Sequence, residues 1–239
     1  MILHRLLWRF ARHRDDAVFY ALQATDAIRW IGAQGVRLGP GVRVLDLGCG
    51  HGVFGGELAR RGCDVAFADE RNDLLPEHRG RPFHVINLDR DDVATLGRHD
   101  LVVCSNVLEH LSRPREFLQR ADQLLAPGGR LYLSWTNWLS PWGGHEFSPF
   151  HYLGARLGTG LHDALGRARF HKPGVNLFVT HIGRVMGWIR RDARLGVVAM
   201  APRYYTELGW LMHCPGLREF AAWNAALLLQ ARTSSSPKA

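Results

Sequence analysis

Ile2, Leu3, Leu6, Leu7 and Phe10 recur at helical spacing, while Arg5, Arg9 and Arg12 share another face. This pattern predicts an amphipathic helix that Asp15-Asp16 breaks or caps. A second helix is expected over 17–31, placing Val18, Leu22 and Ile28 among smaller residues, before a loop at Gly39-Pro40-Gly41. From position 42 short apolar runs take turns with amphipathic stretches. Strands are predicted over 42–47, 64–68, 83–88, 100–105 and 130–136, and helices over 52–61 and 115–125. Strands that alternate with helices imply a parallel sheet covered on both faces. Residues 137–176 are rich in Trp, Gly, His and Pro and read as an insertion after the fifth strand. A helix over 177–191 follows. Two last strands, over 194–200 and 224–232, read as a hairpin-like pair with a long connection through Tyr204 to Phe220. The polar tail 233–239 is expected to be disordered, and no internal repeat is visible.

The chain's 239 residues suit one large domain with additions. Its 30 basic against 22 acidic side chains, a formal charge of +8, invite a nucleic-acid or membrane-surface reading. Mapping the charge changes that picture. Residues 1–40 carry six basic and three acidic groups, 41–136 twelve and fourteen, and 137–239 twelve and five. The surplus therefore lies in the flanks, and the alternating core is slightly acidic. Cys49, Cys63, Cys104 and Cys214 form no CxxC pair, which argues against a zinc ribbon. Cys49 and Cys104 fall at positions read as buried, as suits a reducing compartment. No window of about 18 uncharged apolar residues exists. The arginines at 5, 9, 12 and 14 interrupt any signal-peptide core. A cytoplasmic protein is expected.

One segment narrows the chemistry. Residues 42–52, VRVLDLGCGHG, run from an apolar strand into a glycine-rich turn and then a helix. Glycines allow a tight turn and close approach of a ligand. Asp46, two residues before the first glycine, would oppose a dinucleotide's pyrophosphate but suits a cationic amino-acid ligand.

Residues 42–136 resemble the class I S-adenosylmethionine-dependent methyltransferases, especially the small-molecule enzymes of ubiquinone- and menaquinone-pathway type. The matching pieces are VLDLGCGHG at 44–52, Asp69 after the second strand, DLVVCSNVLEHL at 100–111 and LLAPGGRLYLS at 124–134. The resemblance implies a Rossmann-like, doubly wound, seven-stranded and mostly parallel sheet. It divides the chain into a helical cap (1–40), a cofactor-binding core (41–136), an acceptor-side insertion (137–176), a C-terminal helix with the last strands (177–232) and the tail. It implies S-adenosylmethionine as cofactor, over a turn of Gly48, Gly50 and Gly52. Asp46 would lie near the methionine end, acting through water or backbone to hold the ammonium. Asp69 would accept from the ribose hydroxyls, with Glu70 as the fallback. Asp89 would sit by the adenine amino group, or else belong to a solvated charge run with Asp91 and Asp92. Ser105 and Asn106 would line the methionine moiety. Glu109 and His110, expected to open the fourth crossover helix, are read as structural or cofactor-pocket residues. A metal at this segment is disfavoured because Asn106 stands where an acid would be needed.

The acceptor side is less determined. The segment 138–152 reads as a substrate-binding lid with His145 or His151 as general base, and Trp138, Trp142 and Tyr152 as acceptor contacts. Its alternative is a packed aromatic loop. A metal held by His145, Glu146 and His151 lacks a helical HExxH spacing, so no metal is expected. The WGGHE…PFHYLG segment is similar to ones in uncharacterised bacterial, mostly actinobacterial, methyltransferase-like proteins. Arg203, Tyr204 and Tyr205 could clasp an anionic acceptor, with Arg167, Arg169 and Lys172 near, unless they form a solvated basic face. The N-terminal helix is read as a cap over the site, with contact to an anionic membrane surface as the alternative. The expected activity is O-methylation of a small molecule, lipid or glycan. The alternatives are an RNA or other nucleic-acid methyltransferase and a non-catalytic cofactor binder. Base N-methylation lacks its Asn/Asp-Pro-Pro-aromatic motif, since that position reads Ser105-Asn-Val-Leu. Oligomeric state is left open.

Overall fold

The apolar run after position 42 becomes β1 (Arg43–Leu47), flanked on both sides by parallel neighbours, β2 (Asp64–Asp69) and β4 (His99–Ser105). The computed structural model describes residues 1–13, 17–166 and 170–232. The break expected at Asp15-Asp16, the arginines at 167 and 169, and the tail 233–239 lie outside the described residues. Beyond these strands come β3 (Phe83–Val85), β5 (Leu125–Thr136), β6 (Leu195–Pro202) and β7 (Asn224–Ala231). The sheet order is β3-β2-β1-β4-β5-β7-β6, and β7 runs antiparallel to both β5 and β6. The seven-stranded, mostly parallel sheet is therefore as expected, with the last two strands as the antiparallel pair. The strand order reverses between β1 and β4, so a crevice opens at their carboxyl ends.

Alternation along the strands divides the core into two layers. Val44, Leu101, Val103 and Tyr132 face α2 (Ala17–Ala33) and α3 (Val53–Ala59), packing with Ile28, Ile31 and Leu58. Leu45, Val102, Leu131 and Trp135 face α4 (Pro114–Arg120) and α6 (Ile182–Arg191). Asp46 shares the parity of Val44, so β1 delivers its carboxylate to the α3 side.

Several boundaries move for identifiable reasons. Leu108–His110 is a 3-10 turn, and the helix begins at Pro114, so Glu109 and His110 do not open it. The helix expected over 177–191 starts at Ile182, where the Glu219 carboxylate accepts from the N–H groups of Ile182 (2.9 Å) and Gly183 (2.7 Å). Residues 177–181 are instead bound to other segments, Phe178 N–H donating to the Glu109 carbonyl and Trp138 N–H to that of Thr180. Within the insertion lies α5 (Gly154–Ala164), which its glycines conceal from a propensity reading. Gly158 is required there, because a Cβ would stand 2.2 Å from the Phe150 carbonyl oxygen.

Leu6 of the N-terminal helix α1 (Leu3–His13) and Ile2 just before it are buried against Tyr204, Tyr205 and Leu211. Ile2 N–H donates to the Tyr204 carbonyl at 3.0 Å. Leu3 and Phe10 pack beside them, while Leu7 on the same stripe stays 41 % exposed. No helix among the described residues is long and apolar enough to cross a membrane.

Candidate active site

At the end of β1 the chain turns through Gly48 (φ +69°), Gly50 (φ +50°) and Gly52 (φ +77°) into α3. Gly48 N–H donates to the Ala68 carbonyl at 2.8 Å, which ties the turn to the end of β2. A Cβ on Gly48 would lie 2.3 Å from Val107 Cγ2, and one on Gly52 2.6 Å from Leu74 Cδ2. Gly50 has nothing within 4 Å, so its backbone is bare toward open space and a ligand can approach it closely.

Two carboxylates brace this turn from below. Asp46, 2 % exposed, accepts from Gly55 N–H at 2.7 Å and so satisfies a donor in the first turn of α3. Burial pushes its carboxyl up to about 7, against the opposing pull of the Gly55 hydrogen bond. Asp69 accepts from Gly50 N–H through Oδ2 and from Glu70 N–H through Oδ1, both at 2.7 Å. Each oxygen keeps a second lone pair, so the carboxylate can also accept from a vicinal diol above the turn. Glu70 instead accepts from Asn87 Nδ2 at 2.6 Å. The glycine turn, the bare Gly50 and the adjoining Asp69 fit the cofactor that the sequence resemblance implies.

Asp89, expected beside an adenine, has both carboxylate oxygens engaged at the approach to α4. Its Oδ2 accepts from Ser112 N–H (2.9 Å) and Oγ (2.8 Å), and its Oδ1 from Arg113 N–H (2.8 Å). The carboxylate holds the approach to α4, where those N–H groups lack helical partners. Its exposed neighbours accept local backbone bonds as well, Asp91 from Asn87 N–H and Asp92 from Ala94 N–H.

At the end of β4, Ser105 Oγ accepts from Ser134 Oγ at 3.3 Å. Asn106 takes the left-handed conformation (φ +57°) and its Oδ1 accepts from Arg203 Nη1 at 2.8 Å. Arg203 is 3 % exposed, and its Nε has no partner. Sequence reasoning singled out Arg203 but left it between a clasp and a solvated face. Burial excludes the solvated face. Tyr204 is also buried, which pushes its hydroxyl up to about 12. Around them Phe10, Phe19, Trp142, Tyr204 and Trp223 form an aromatic roof with ring centroids 5.3–6.4 Å apart. Glu109 is a group whose posture the sequence did not reveal. It is 1 % exposed, its Oε1 accepts from Thr136 N–H at 2.8 Å, and its Oε2 has no partner.

The expected acceptor residues divide. Trp142, Arg203 and Tyr204 come together beneath α1. Trp138 instead packs on Phe147 and Leu177. Tyr152 is half exposed, with its hydroxyl donating to the Leu139 carbonyl at 3.3 Å. His151 lies at the centre of its own loop, with Nε2 3.1 Å from the Ser140 carbonyl and its ring beside Trp138 and Tyr152. At 1 % exposure it is packed within the loop. His145 stands among the His110 and His171 rings, and burial lowers it to about 3, with both neighbours adding to the fall. The Lys172 backbone N–H donates to Asn176 Oδ1 at 2.6 Å, closing a local turn.

Two surface hollows lie away from this edge. One of about 690 Å³ is lined by Ser112, Arg115 and Trp188. Another of about 380 Å³ sits between Gln34, Asp100 and Arg130, at the amino ends of the central strands. Neither touches the glycine turn, and strand-end chemistry places the site better than hollow size.

Comparison with known proteins agrees with this geometry. Residues 8–171 match the family described as "Methyltransferase domain". An uncharacterised methyltransferase of Mycobacterium ulcerans is 31 % identical over 246 residues, covering 95 % of this chain and 93 % of that one. Among solved structures, an S-adenosylmethionine-dependent methyltransferase from Mesorhizobium loti superposes with a TM-score of 0.57 at 18 % identity, covering 85 % of this chain and 97 % of that one. Magnesium protoporphyrin IX methyltransferase from Synechocystis, solved with bound SAH, gives 0.52 at 18 %, covering 91 % and 86 %.

Proposed function

This chain belongs to the class I S-adenosylmethionine-dependent methyltransferases, and from that premise we propose that it methylates an oxygen of a small-molecule, lipid or glycan acceptor bound beneath the N-terminal helix. The cofactor supplies a methyl group on a sulfonium, whose thioether is already a good leaving group. The protein's own part is then to hold two reactants in line and keep water out. Gly48–Gly52 would carry the cofactor, with Asp69 accepting from its ribose hydroxyls and Asp46 fixing the helix start beneath. Asn106, at the end of β4, stands between this turn and Arg203.

The observation that carries the acceptor reading is Arg203. It is a buried guanidinium that forms no ion pair among the described residues, bonded to Asn106 and roofed by aromatic rings. A charge so placed calls for an anion, and the roof favours an apolar or slender body attached to it over a nucleic-acid duplex. Support for an oxygen acceptor comes from Glu109 Oε2, an unpartnered carboxylate oxygen three residues beyond Asn106 and of a kind able to take a hydroxyl proton. Four unpaired cysteines support a cytoplasmic location.

The test is to incubate the protein with methyl-labelled cofactor and a fractionated extract of its own cells, then identify the labelled products by mass. Label in a small, nuclease-resistant product is expected. Label confined to nuclease-sensitive material would replace the acceptor class with nucleic acid, and bound cofactor without any transfer would mark a non-catalytic binder. With the acceptor in hand, Arg203→Gln is expected to raise its KM by about 10–100-fold, the loss of a charged hydrogen bond, while SAH affinity holds. Weaker SAH binding with unchanged KM would instead assign Arg203 to the cofactor's carboxylate.

Asp69→Ala is expected to weaken SAH binding by about 1–3 kcal/mol, measured by calorimetry, since both ribose acceptors and the brace on Gly50 are lost. Unchanged affinity would pass the ribose role to Glu70.

A further inference from the structure

We propose that His110, His145 and His171 form a binding site for a divalent transition-metal ion of the zinc type. The three residues are far apart in the chain. His110 lies in the turn after β4, His145 in the loop after β5, and His171 beyond α5. Their ring centroids stand 5.2, 5.0 and 4.5 Å apart pairwise, and one nitrogen from each lies within 4.8 Å of the other two.

Proximity alone would also suit a stack of imidazoles. The hydrogen bonds of the remaining nitrogens argue for more. His110 Nδ1 is 2.8 Å from the Asn176 carbonyl, which can only accept. His171 Nδ1 is 2.7 Å from Glu146 Oε2. In both rings Nδ1 therefore carries the proton, and Nε2 keeps a free lone pair. This is the arrangement in which a carbonyl or carboxylate fixes the tautomer of a metal-ligating histidine. His145 adds a third ring. Its Nδ1 is buried without a partner, and its backbone takes the left-handed conformation (φ +51°), uncommon outside glycine.

The donor set selects the ion. Three imidazoles suit zinc, cobalt, nickel or copper, whereas calcium and magnesium require oxygen ligands. Zinc–nitrogen bonds of about 2.0–2.1 Å place tetrahedral nitrogens about 3.3 Å apart, so the rings would close by roughly an ångström or more through side-chain rotation. Three protein ligands leave a fourth position for water or an oxygen ligand. Sequence spacing groups Glu109 and His110 with Asn106, and His145 with Glu146 and His151, and predicts no metal from either set. Glu146 serves here behind His171, and His151 takes no part.

The test does not use activity and does not depend on the methyl-transfer reading. The full chain is stripped with a chelator and titrated with zinc by calorimetry, and with cobalt by the visible absorption of a four-coordinate nitrogen site. One zinc per chain is expected, with magnesium failing to compete. His171→Ala is expected to weaken zinc binding by more than about 10-fold, with Glu146→Gln weakening it about 10-fold. The exposed His4→Ala should leave it unchanged. Circular dichroism and SAH binding report that each variant is folded. No saturable zinc binding by the parent chain, equal affinity in His171→Ala, or equal competition by magnesium would overturn the site.

Discussion

Gly48→Ala is expected to abolish measurable SAH binding and to lower stability by about 2–5 kcal/mol, from left-handed strain and overpacking together. The new Cβ would stand 2.3 Å from Val107 Cγ2 and 3.1 Å from its Cγ1. Val107 is branched and packs against the core between β4 and the turn at Leu108–His110, so it has little room to yield. Displacing it moves the Asn106 and Gly48 backbones apart, at the edge proposed to hold the cofactor. Gly41→Ala is the matched control. Its φ of +76° is similar, but nothing stands within 4 Å of the added Cβ, and it precedes β1 at the opposite end of the sheet. It should lose only about 1–2 kcal/mol in denaturant titration and keep SAH affinity. Equal losses in the two variants would show that Val107 does not press on the turn.

Asp46→Asn is expected to become more stable relative to the parent as pH rises from 4 to 8, by up to about 4 kcal/mol. The folded carboxyl titrates at about 7, against 3.8 when unperturbed. Between those values the folded protein holds a proton that the unfolded chain has released, so raising the pH removes stability until the folded group has ionised. His145 acts in the opposite sense. Its folded value of about 3 lies below the ordinary 6.5, so its contribution is full above pH 6.5 and is lost as pH falls toward 3. The two windows overlap, and the parent's own profile is flattened by their opposition. Only the difference between variant and parent isolates Asp46. Asparagine keeps an oxygen for Gly55 N–H, so the cap should survive. Denaturant midpoints at pH 4, 6 and 8 measure the difference, and a gap that stays constant would show that Asp46 ionises freely in the fold. Saturating SAH should narrow the gap, because a nearby ammonium favours the ionised carboxylate.

The cofactor half was legible before folding because its signals are local. Strand parity sends Asp46 under the helix, the glycines can turn only where they stand, and Asp69 closes the next strand. Even there the bonds of Asp89 were not legible. In a run of three acids nothing in the chain tells a ligand contact from a cap, and the Ser112 and Arg113 N–H groups it serves come from 23 and 24 residues away.

The acceptor half is assembled across the chain. Arg203 reaches Asn106 over a separation of 97 residues, and the roof joins rings from α1, the insertion and the segment after β6. His110, His145 and His171 become neighbours only when the insertion folds back over the end of β4. Residue order thus decided the fold and pointed to the methyl donor and to the turn proposed to hold it, since periodicity and a strand–turn–helix motif act within a few residues. Burial and long-range packing decided the rest. They turned a charged Arg203 into a buried cation with no ion pair among the described residues, withdrew His151 into its loop, and gathered three histidines that no spacing rule would group.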